Sequence, residues 1–361
     1  MTPGSAGTFS IGVANALGLQ TTKGLLSVAA ADPYVPSQAM HSGNIDTWLH
    51  DPVRQAIFAL DRQGNAFYKY QYDGRGGWNV SAVAVQTPLD IGLSPDGARL
   101  FITTGGALRE YDPTSLALRA TYSLSANQGL REPLASSVDG KLWIPSGYYS
   151  GATGIAYFDL LSNALGSQAI PYGASAGAFK ASADGATVLE SPNFEVSRQS
   201  WFVYKQATQS ITALPYGVSF GYDPHMSTDG SRILDVGPGG SAPLFDGAFN
   251  RLGQLPANVS NEAYGAQTIS PDGTRIVAVV DSFTSQWSSN LTGVRIDIFD
   301  STKYSPGTTD FVKIASIPMT TNPGCSDVLA CNVSGYLLVS LDGKTIFSLG
   351  NQALQVFKMP Q

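Results

Sequence analysis

The sequence predicts an all-β protein: a seven-bladed β-propeller with four antiparallel strands per blade. Three observations predict this fold. A short motif built on Asp-Gly repeats along the chain, alternating apolar stretches follow each copy, and helical periodicity is nearly absent. The chain has 361 residues, 43% of them hydrophobic, so it can bury a large core. One repeat architecture accounts for nearly all of this length, although length alone would suggest several domains.

The first repeated element is a tight turn between two strands. Six copies contain an Asp-Gly pair, and successive pairs are 43, 45, 45, 43 and 70 residues apart. Because Gly accepts a positive φ without steric cost, Asp-Gly flanked by apolar alternation is a strong hairpin signal. We expect each Asp to bond the backbone of its own turn rather than calcium. The pairs are Asp96-Gly97, Asp139-Gly140, Asp184-Gly185, Asp229-Gly230, Asp272-Gly273 and Asp342-Gly343.

A degenerate seventh copy, LHDPVRQAIFAL, lies one period upstream of the first Asp-Gly pair. A second element follows each copy and alternates aromatic and aliphatic residues up to a polar turn, as in LREYDPTS and RIDIFDST. Each unit therefore predicts four strands in about 43 residues, the period of a propeller blade. Equivalent positions after the turns should be buried between neighbouring blades. They are Phe58, Phe101, Trp143, Ile233, Ile276 and Ile346.

The chain ends after the third predicted strand of the last unit, so that blade lacks a fourth strand. We expect residues 24–32, GLLSVAAAD, to supply it by pairing with the strand that ends near Phe357. Residues 1–20 are then an N-terminal extension, and residues 21–361 form a single propeller domain. The long sixth unit predicts an insertion at about residues 303–335, expected to be a surface loop.

Composition limits the partners and the compartment. The net charge of −6, with 21 Lys and Arg residues, argues against nucleic-acid binding through a basic face. No apolar run approaches the ~18 residues of a membrane span, so we expect no membrane insertion. We also expect a monomer without a cofactor.

The only two cysteines, Cys325 and Cys331, favour a disulfide over two reduced thiols, which indicates an extracellular or periplasmic protein. The first ten residues, MTPGSAGTFS, lack the basic and apolar regions of a signal peptide, so we expect that any signal peptide has already been removed.

The pattern SPDGxxLxV followed by VYDxxT resembles the seven-bladed propellers of the YVTN or lactonase-like repeat group. The segments LSPDGARLFITTGGALREYDPTS and ISPDGTRIVAVV match it best, and the resemblance covers residues 45–361. It implies the propeller fold. The group includes sugar lactonases, cofactor-dependent dehydrogenase subunits and binding or surface-layer proteins, so the resemblance leaves the function open.

Ligands of propellers usually meet the face formed by the loops after the second strands and between blades. The loops after the second strands of units three, four and six are long and aromatic, whereas the turns opposite them are tight. Exposed aromatic side chains among Ser, Asn and Gly suit sugar faces or peptides, and packing against adjacent loops is the alternative. The candidate ligand-binding residues are Tyr148, Tyr149, Phe194, Glu195, Arg198 and Trp287.

Histidine is scarce, and His50 lies in a different repeat position from His41 and His225, so no metal site is predicted. His225 lies on or near the innermost strand, where it could face the channel mouth as a general base. The alternative is a hydrogen-bonded structural histidine. A lactonase-like site implies a His, a carboxylate and an Arg at one mouth. The candidate catalytic residues are His225, Asp223, Arg131 and Glu132.

Three functions therefore stay open. The first is a secreted or surface propeller that binds a polysaccharide, a peptide or a protein on its long-loop face. The second is a lactonase-like hydrolase or polysaccharide lyase that uses His225. The third is a structural domain of a longer surface protein. The sequence contains no P-loop or HExxH motif, and its two GxSxG matches, GASAG at residues 173–177 and GVSFG at residues 217–221, lie in predicted blade-to-blade loops and not in a strand-to-helix elbow. This favours the binding function without deciding whether the protein is an enzyme.

Overall fold

A computed structural model gives the structure of most of the chain, and strands and turns form all of the regular structure that it describes. The described residues are 7–11, 24–28, 34–40, 45, 47–125, 134–145, 154–169, 179–190, 201–214, 224–236, 242–257, 261–283, 291–319, 337–349 and 353–360.

Seven four-stranded antiparallel sheets form the seven blades, which confirms the predicted fold class. Blade 1 contains β4 (Thr47–Asp51), β5 (Ala56–Asp61), β6 (Ala66–Tyr72) and β7 (Trp78–Ala84). Blade 2 contains β8 (Pro88–Leu93), β9 (Leu100–Thr104), β10 (Ala107–Tyr111) and β11 (Leu118–Ser123). Blade 3 contains β12 (Ala135–Ser137), β13 (Lys141–Trp143), β14 (Gly154–Asp159) and β15 (Ala164–Ala169). Blade 4 contains β16 (Phe179–Ala181), β17 (Thr187–Glu190), β18 (Phe202–Lys205) and β19 (Ser210–Ala213).

The remaining blades follow the same strand order. Blade 5 contains β20 (His225–Met226), β21 (Arg232–Leu234), β22 (Pro243–Asp246) and β23 (Arg251–Gln254). Blade 6 contains β24 (Glu262–Ile269), β25 (Arg275–Phe283), β26 (Leu291–Tyr304) and β27 (Phe311–Pro318). Blade 7 contains β28 (Leu337–Val339), β29 (Thr345–Leu349), β30 (Ala353–Lys358) and, from the N-terminal part of the chain, β3 (Ser37–Met40). A separate hairpin pairs β1 (Gly7–Ile11) with β2 (Gly24–Val28).

The chain divides into two compact units. Unit 1 comprises Met1–Ala31, Leu49–Gln71 and Val80–Gly217, and so contains blades 2 to 4 and most of blade 1. Unit 2 comprises Asp32–Trp48, Tyr72–Asn79 and Val218–Gln361, and so contains blades 5 to 7. The single domain over residues 21–361 and its boundary at residue 20 stay predictions.

The Asp-Gly turns have the conformation that the motif predicts. All six glycines adopt a positive φ, between 67° and 84°. In each turn the Ser two residues before the Asp donates its hydroxyl to the Asp Oδ1, at 2.6 to 2.8 Å. In blades 2, 4, 5, 6 and 7 the same carboxylate accepts a backbone N–H from two residues further on. The Asp therefore bonds its own turn, as expected.

The predicted core residues are confirmed, since all six are at most 1% exposed. Five of them, all but Ile233, belong to apolar clusters that join neighbouring sheets. Phe101 of blade 2 packs with Leu142 and Phe158 of blade 3. Ile346 of blade 7 packs with Val279 of blade 6. The second strand of each blade is thus the centre of the packing, because both of its faces meet apolar neighbours.

An N-terminal strand completes blade 7, as predicted, but residues 24–32 were the wrong segment for it. The closing strand is β3, which pairs antiparallel with β30, whereas residues 24–28 pair with β1. Aromatic packing holds β3 in place. Tyr34 stacks on Trp78 with ring centroids 5.7 Å apart and meets Phe347 at 4.9 Å. The Trp78 Nε1–H also donates to Ser37 Oγ at 3.1 Å.

The first part of the predicted insertion continues blade 6 instead of forming a separate surface loop. Strand β26 extends to Tyr304, and β27 begins at Phe311, with Tyr304 opposite Phe311 in the ladder. A tight turn between them is closed by the Ser305 N–H, which donates to the Asp310 carbonyl at 2.8 Å. Residues 320–335 lie outside the described residues.

Candidate functional site

Every blade has two ends with different connections. Because neighbouring strands are antiparallel, the connections after the first and third strands lie at one end, which we call the turn end. The connections after the second strand and before the first strand lie at the opposite end, which we call the loop end. Most sequence-predicted site residues belong to loop-end connections outside the described residues, so their roles stay predictions. They are Arg131, Glu132, Tyr148, Tyr149, Phe194, Glu195, Arg198, Asp223 and Trp287, and the cysteines Cys325 and Cys331 also lie outside.

His225 is the predicted catalytic residue that the structure describes. It begins β20, the first strand of blade 5, and its side chain is half-buried. Its Nδ1 lies 3.1 Å from the hydroxyl of Thr268 in the first strand of blade 6. This contact agrees with the hydrogen-bonded histidine that the sequence left as an alternative. A general-base role for His225 stays a prediction.

A second feature of the loop end was missed at the sequence level. In four blades a buried acidic side chain lies at the loop end of the second strand. It is the last residue of the strand, follows it directly, or lies within two residues of its end. The signal was present, because each acidic residue terminates an apolar run in AIFALD, TVLE, RILD or RIVAVVD. The residues are Asp61 and Glu190 in unit 1, and Asp235 and Asp281 in unit 2.

Asp281 is the most isolated of these groups. It lies near the end of β25 between Ala263 and Val294 of the flanking strands, and it is 2% exposed. Its Oδ1 accepts no hydrogen bond from the part of the chain that the structure describes. Burial raises the pKa of this carboxyl to about 6. Asp281 therefore presents a buried acceptor directly before the connection that carries Trp287.

Blade 2 has a buried carboxyl at the loop end of its first strand, Asp90. It lies in β8, is 1% exposed, and accepts the Leu134 N–H on Oδ2 at 2.5 Å. Its own N–H donates to the Thr103 hydroxyl at 3.1 Å. Its Oδ1 has no hydrogen-bond partner among the described residues. Leu134 directly follows the loop that carries Arg131 and Glu132, so Asp90 lies beside a predicted site loop.

Two cations act on the Asp90 carboxyl. Arg62 follows the second strand of blade 1, and its Nε donates to the Leu89 carbonyl at 2.8 Å. Lys180 lies in β16, the first strand of blade 4. Burial raises the pKa of Asp90 to about 6 and outweighs the opposite effects of the Leu134 N–H, Arg62 and Lys180. We call Asp90, Arg62, Lys180 and the Leu134 N–H the Asp90 site.

Carboxylates at the turn end behave in the opposite way. The Ser231 N–H lowers the pKa of Asp229, and the Ser115 N–H lowers that of Asp112 to about 2. These turns surround the carboxylate with donors, so its charged form is favoured. Acid–base chemistry near neutral pH is therefore better supported at the loop end.

Two further findings bear on the site. Within the described ranges, no group of three or more His, Cys, Asp or Glu side chains is arranged to hold a metal ion. Those ranges also contain no helix with the length and apolarity needed to cross a membrane.

Solved structures match the chain over most of its length. Hydrazine synthase from Kuenenia stuttgartiensis aligns with a TM-score of 0.58 at 15% identity, over 92% of this chain and 97% of that one. The β-propeller domain of Cps50 (Swd1) from Myceliophteria thermophila aligns with a TM-score of 0.60 at 9% identity, over 89% and 98%. A chain of a mitotic checkpoint complex aligns with a TM-score of 0.57 at 14% identity, over 92% and 89%.

This protein is a seven-bladed β-propeller. At these identities the likeness shows the fold alone. No family model matches the sequence, and no curated protein matches it.

Proposed function

We propose that this protein is a non-catalytic propeller that binds a ligand at the loop ends of its blades. The observation that carries the proposal is the Oδ1 of Asp281, which is buried at the loop end of blade 6 and accepts no hydrogen bond from any described residue. Buried polar atoms in folded proteins are almost always hydrogen-bonded, and leaving one unpaired costs about 1–3 kcal/mol. A bound ligand that donates a hydrogen bond would satisfy this acceptor.

The chemistry of the site indicates a ligand rich in hydroxyl or N–H groups. Asp281 supplies an acceptor, and the connection that follows it carries Trp287, whose ring suits stacking on a sugar or packing on a peptide. A polysaccharide and a polar peptide or protein segment share this chemistry. One propeller of similar fold belongs to a mitotic checkpoint complex, which supports a protein partner.

The test uses an oligosaccharide array and an array of Ser-, Lys- and Arg-containing peptides, probed with the full chain. Asp281→Asn and Trp287→Ala should each weaken binding to the best probe about tenfold or more, because aromatic anchors and buried polar pairs dominate binding energy. Asp300→Asn is the matched control. Asp300 is equally buried in blade 6, but lies at the turn end and is bonded to Thr302.

Binding to one array and not the other identifies the ligand class. Equal losses in Asp281→Asn and Asp300→Asn, or full binding by both loop-end variants, would contradict the proposal.

We retain a lactonase-like hydrolase or polysaccharide lyase as the second candidate. Its support is the repeat-group resemblance together with the buried Asp90, whose carboxyl has a pKa of about 6 because burial outweighs the opposite effects of the Leu134 N–H and two cations. If His225 is the base, His225→Ala should abolish turnover of a lactone or uronate-polymer panel and change stability by less than about 1 kcal/mol. If the protein only binds, this substitution should matter less than Trp287→Ala.

We also propose an extracellular or periplasmic location, supported by the disulfide that the sequence predicts between Cys325 and Cys331. An intact-mass measurement before and after reduction tests the disulfide, which should add two hydrogens when reduced. The same measurement on protein from cell fractions tests the compartment. A role as the structural domain of a longer surface protein is compatible with the same bond.

A further inference from the structure

We propose that Asn79 is the acceptor of an N-linked glycan, and that this glycan covers the uncharged outer edge of blade 1. The acceptor motif is Asn79-Val80-Ser81, an Asn followed by any residue except Pro and then by Ser or Thr. The proposal goes beyond ligand binding at the loop end, because it concerns another strand and a covalent modification. It rests on the extracellular form of the proposed location.

The motif lies on β7, the outermost strand of blade 1, whose outer edge has no neighbouring strand in its sheet. Four consecutive residues of this strand, 79–82, are exposed. The preceding residue, Trp78, stacks on Tyr34 and donates its Nε1–H to Ser37 Oγ. Since successive side chains of a strand point to opposite faces, Asn79 points away from this aromatic contact. A glycan on Asn79 therefore displaces none of the packing that holds the closing strand.

Charge protects the outer strands of three blades, but not that of blade 1. Strands β11, β23 and β27 carry Arg119, Arg251 and Lys313. Charged side chains on an edge strand oppose its pairing with another chain. Strand β7 has seven residues and no charge, whereas the other uncharged outer strands, β15, β19 and β3, have six, four and four. The acceptor motif thus lies on the longest uncharged outer strand of the described blades.

The composition of β7 explains why this edge needs a cover. Its sequence is WNVSAVA, and the Val80 side chain is 42% exposed. An exposed strand edge without charge offers its free N–H and C=O groups to any other extended chain. An N-linked glycan is bulky and solubilising. On Asn79 it would keep a second strand away from this edge, as charge does in blades 2, 5 and 6.

The modification requires an oligosaccharide carried on a lipid pyrophosphate as the glycosyl donor. A bond forms between Asn79 Nδ2 and the anomeric carbon of the first sugar, while the bond from that carbon to the pyrophosphate oxygen breaks. The amide nitrogen loses one proton, and the lipid pyrophosphate leaves with the bonding electrons. No oxidation or reduction is involved. Ser81 supplies the hydroxyl that completes the acceptor motif.

The experiment uses the full chain secreted by a yeast host behind a cleavable signal peptide. Peptide mass spectrometry is run before and after treatment with peptide N-glycosidase, which converts a glycosylated Asn into Asp. We expect this conversion at Asn79 in most molecules. Asn163 is the matched control, since it is exposed but is followed by Ala and Leu, so it should stay Asn. Three further motifs report contact with the transferase: Asn258, Asn290 and Asn332.

Substitutions at Ser81 test the motif without changing the acceptor. Ser81→Ala should abolish the modification of Asn79, whereas Ser81→Thr, which keeps the hydroxyl, should retain it. Modification of Asn79 that survives in Ser81→Ala would contradict the assignment.

The role at the edge has its own readout, which is light scattering during heating. Asn79→Gln should aggregate about twofold or more faster than the glycosylated wild type, because its edge is uncovered. Adding Val80→Lys to Asn79→Gln should restore the slower rate, since a charge then replaces the glycan. Equal rates for wild type and Asn79→Gln, or no rescue by Val80→Lys, would overturn this role.

An unmodified Asn79 in the secreted protein overturns the proposal, whether or not the other three motifs are modified. The host's signal peptide directs the chain into the secretory pathway, so this result does not depend on where the natural protein resides. Fractionation of the natural cells tests that location separately. Protein found in the cytosol would contradict the location, and unmodified secreted protein would contradict the glycan.

Discussion

The two ends of the blades are built from the same strands but treat buried charge in opposite ways. At the turn end, Ser hydroxyls and backbone N–H groups satisfy the Asp carboxylates, and neighbouring blades are tied by direct bonds. The Val138 N–H donates to the Gly185 carbonyl at 2.9 Å, and the Thr228 N–H to the Pro271 carbonyl at 2.7 Å. At the loop end, Asp90 and Asp281 are buried with an oxygen that no described residue satisfies.

The difference shows which carboxyls stabilise the fold and which remain able to bind a ligand. A short turn closes on itself, so its donors can meet its own carboxylate, and nothing is left for a ligand. A carboxyl at the end of a buried strand has no turn around it, so burial opposes its charge. Unsatisfied or perturbed polar groups are concentrated at functional sites more often than elsewhere.

The largest expected effect tests how much the apolar packing between blades contributes to the free energy of unfolding. Trp143 is 1% exposed, contacts Tyr204 at 4.7 Å between ring centroids, and donates Nε1–H to Ser137 at the turn end. Trp143→Ala should destabilise the fold by about 3–5 kcal/mol, since it leaves a cavity and removes that bond. Urea unfolding measures the loss. A cost below about 1 kcal/mol would mean that this layer is not part of the core.

The second prediction compares Ala substitutions at two turn glycines, one in contact with the neighbouring blade and one without neighbours. Gly185 has a φ of +68°, and a Cβ there would lie 2.6 Å from the Val138 nitrogen of blade 3. Gly343 has a φ of +74° but no atom within 4 Å of its Cβ position. Gly185→Ala should therefore cost roughly 2–4 kcal/mol and Gly343→Ala about 1–2 kcal/mol in thermal or urea unfolding. Equal costs would show that the blade-to-blade tie does not matter.

A third prediction compares the pH dependence of the two ends within blade 6. Because the pKa of Asp281 is raised to about 6, above its unfolded value, the folded state binds the extra proton, and stability falls as pH rises from about 4 to about 6. Asp281→Asn should remove this loss, which is on the order of 3 kcal/mol. Unfolding free energies across that range measure it, and identical slopes for wild type and variant would contradict the prediction.

Asp300 supplies the opposite sign in the same blade. Burial alone would raise its pKa, but hydrogen bonds from Thr302 and Lys303 and the charge of Arg275 outweigh that effect and lower the pKa to about 2. Its stabilisation is therefore complete above about pH 4 and is lost as pH falls towards 2. Asp300→Asn should therefore reduce the loss of unfolding free energy below about pH 4 and leave its pH dependence above that value unchanged.

The smallest expected effect concerns a single turn bond. Ser270 donates its hydroxyl to Asp272 at 2.6 Å and accepts the Arg275 N–H at 2.9 Å. Ser270→Ala should cost about 1 kcal/mol in thermal unfolding, the net value of a hydrogen bond near the surface. A variant as stable as the wild type would mean that the Asp-Gly pair alone closes the turn.

Short-range patterns predicted most of the fold because each depends on neighbouring residues. The Asp-Gly pairs predicted the turns, and the apolar positions after them predicted Phe101 and Trp143 in the core. The closing strand could not be located in the same way. Residues 24–28 and Ser37–Met40 both lie before blade 1, and the choice depends on the contacts of Tyr34 with Trp78 and Phe347. The loop-end carboxyls were missed because an acid after an apolar run is usually exposed.

The sequence by itself determined the number of blades, the turn at the start of each blade, and the apolar layer of the second strands. Local backbone preference and a repeated burial pattern are enough for these features, and both are written in consecutive residues. Only the tertiary structure decided which N-terminal segment completes blade 7 and which carboxyls lose their solvent. Arg62, Asp90 and Lys180 are far apart along the chain, and the charge of Asp90 depends on its burial and on the groups that the folded blades bring near it.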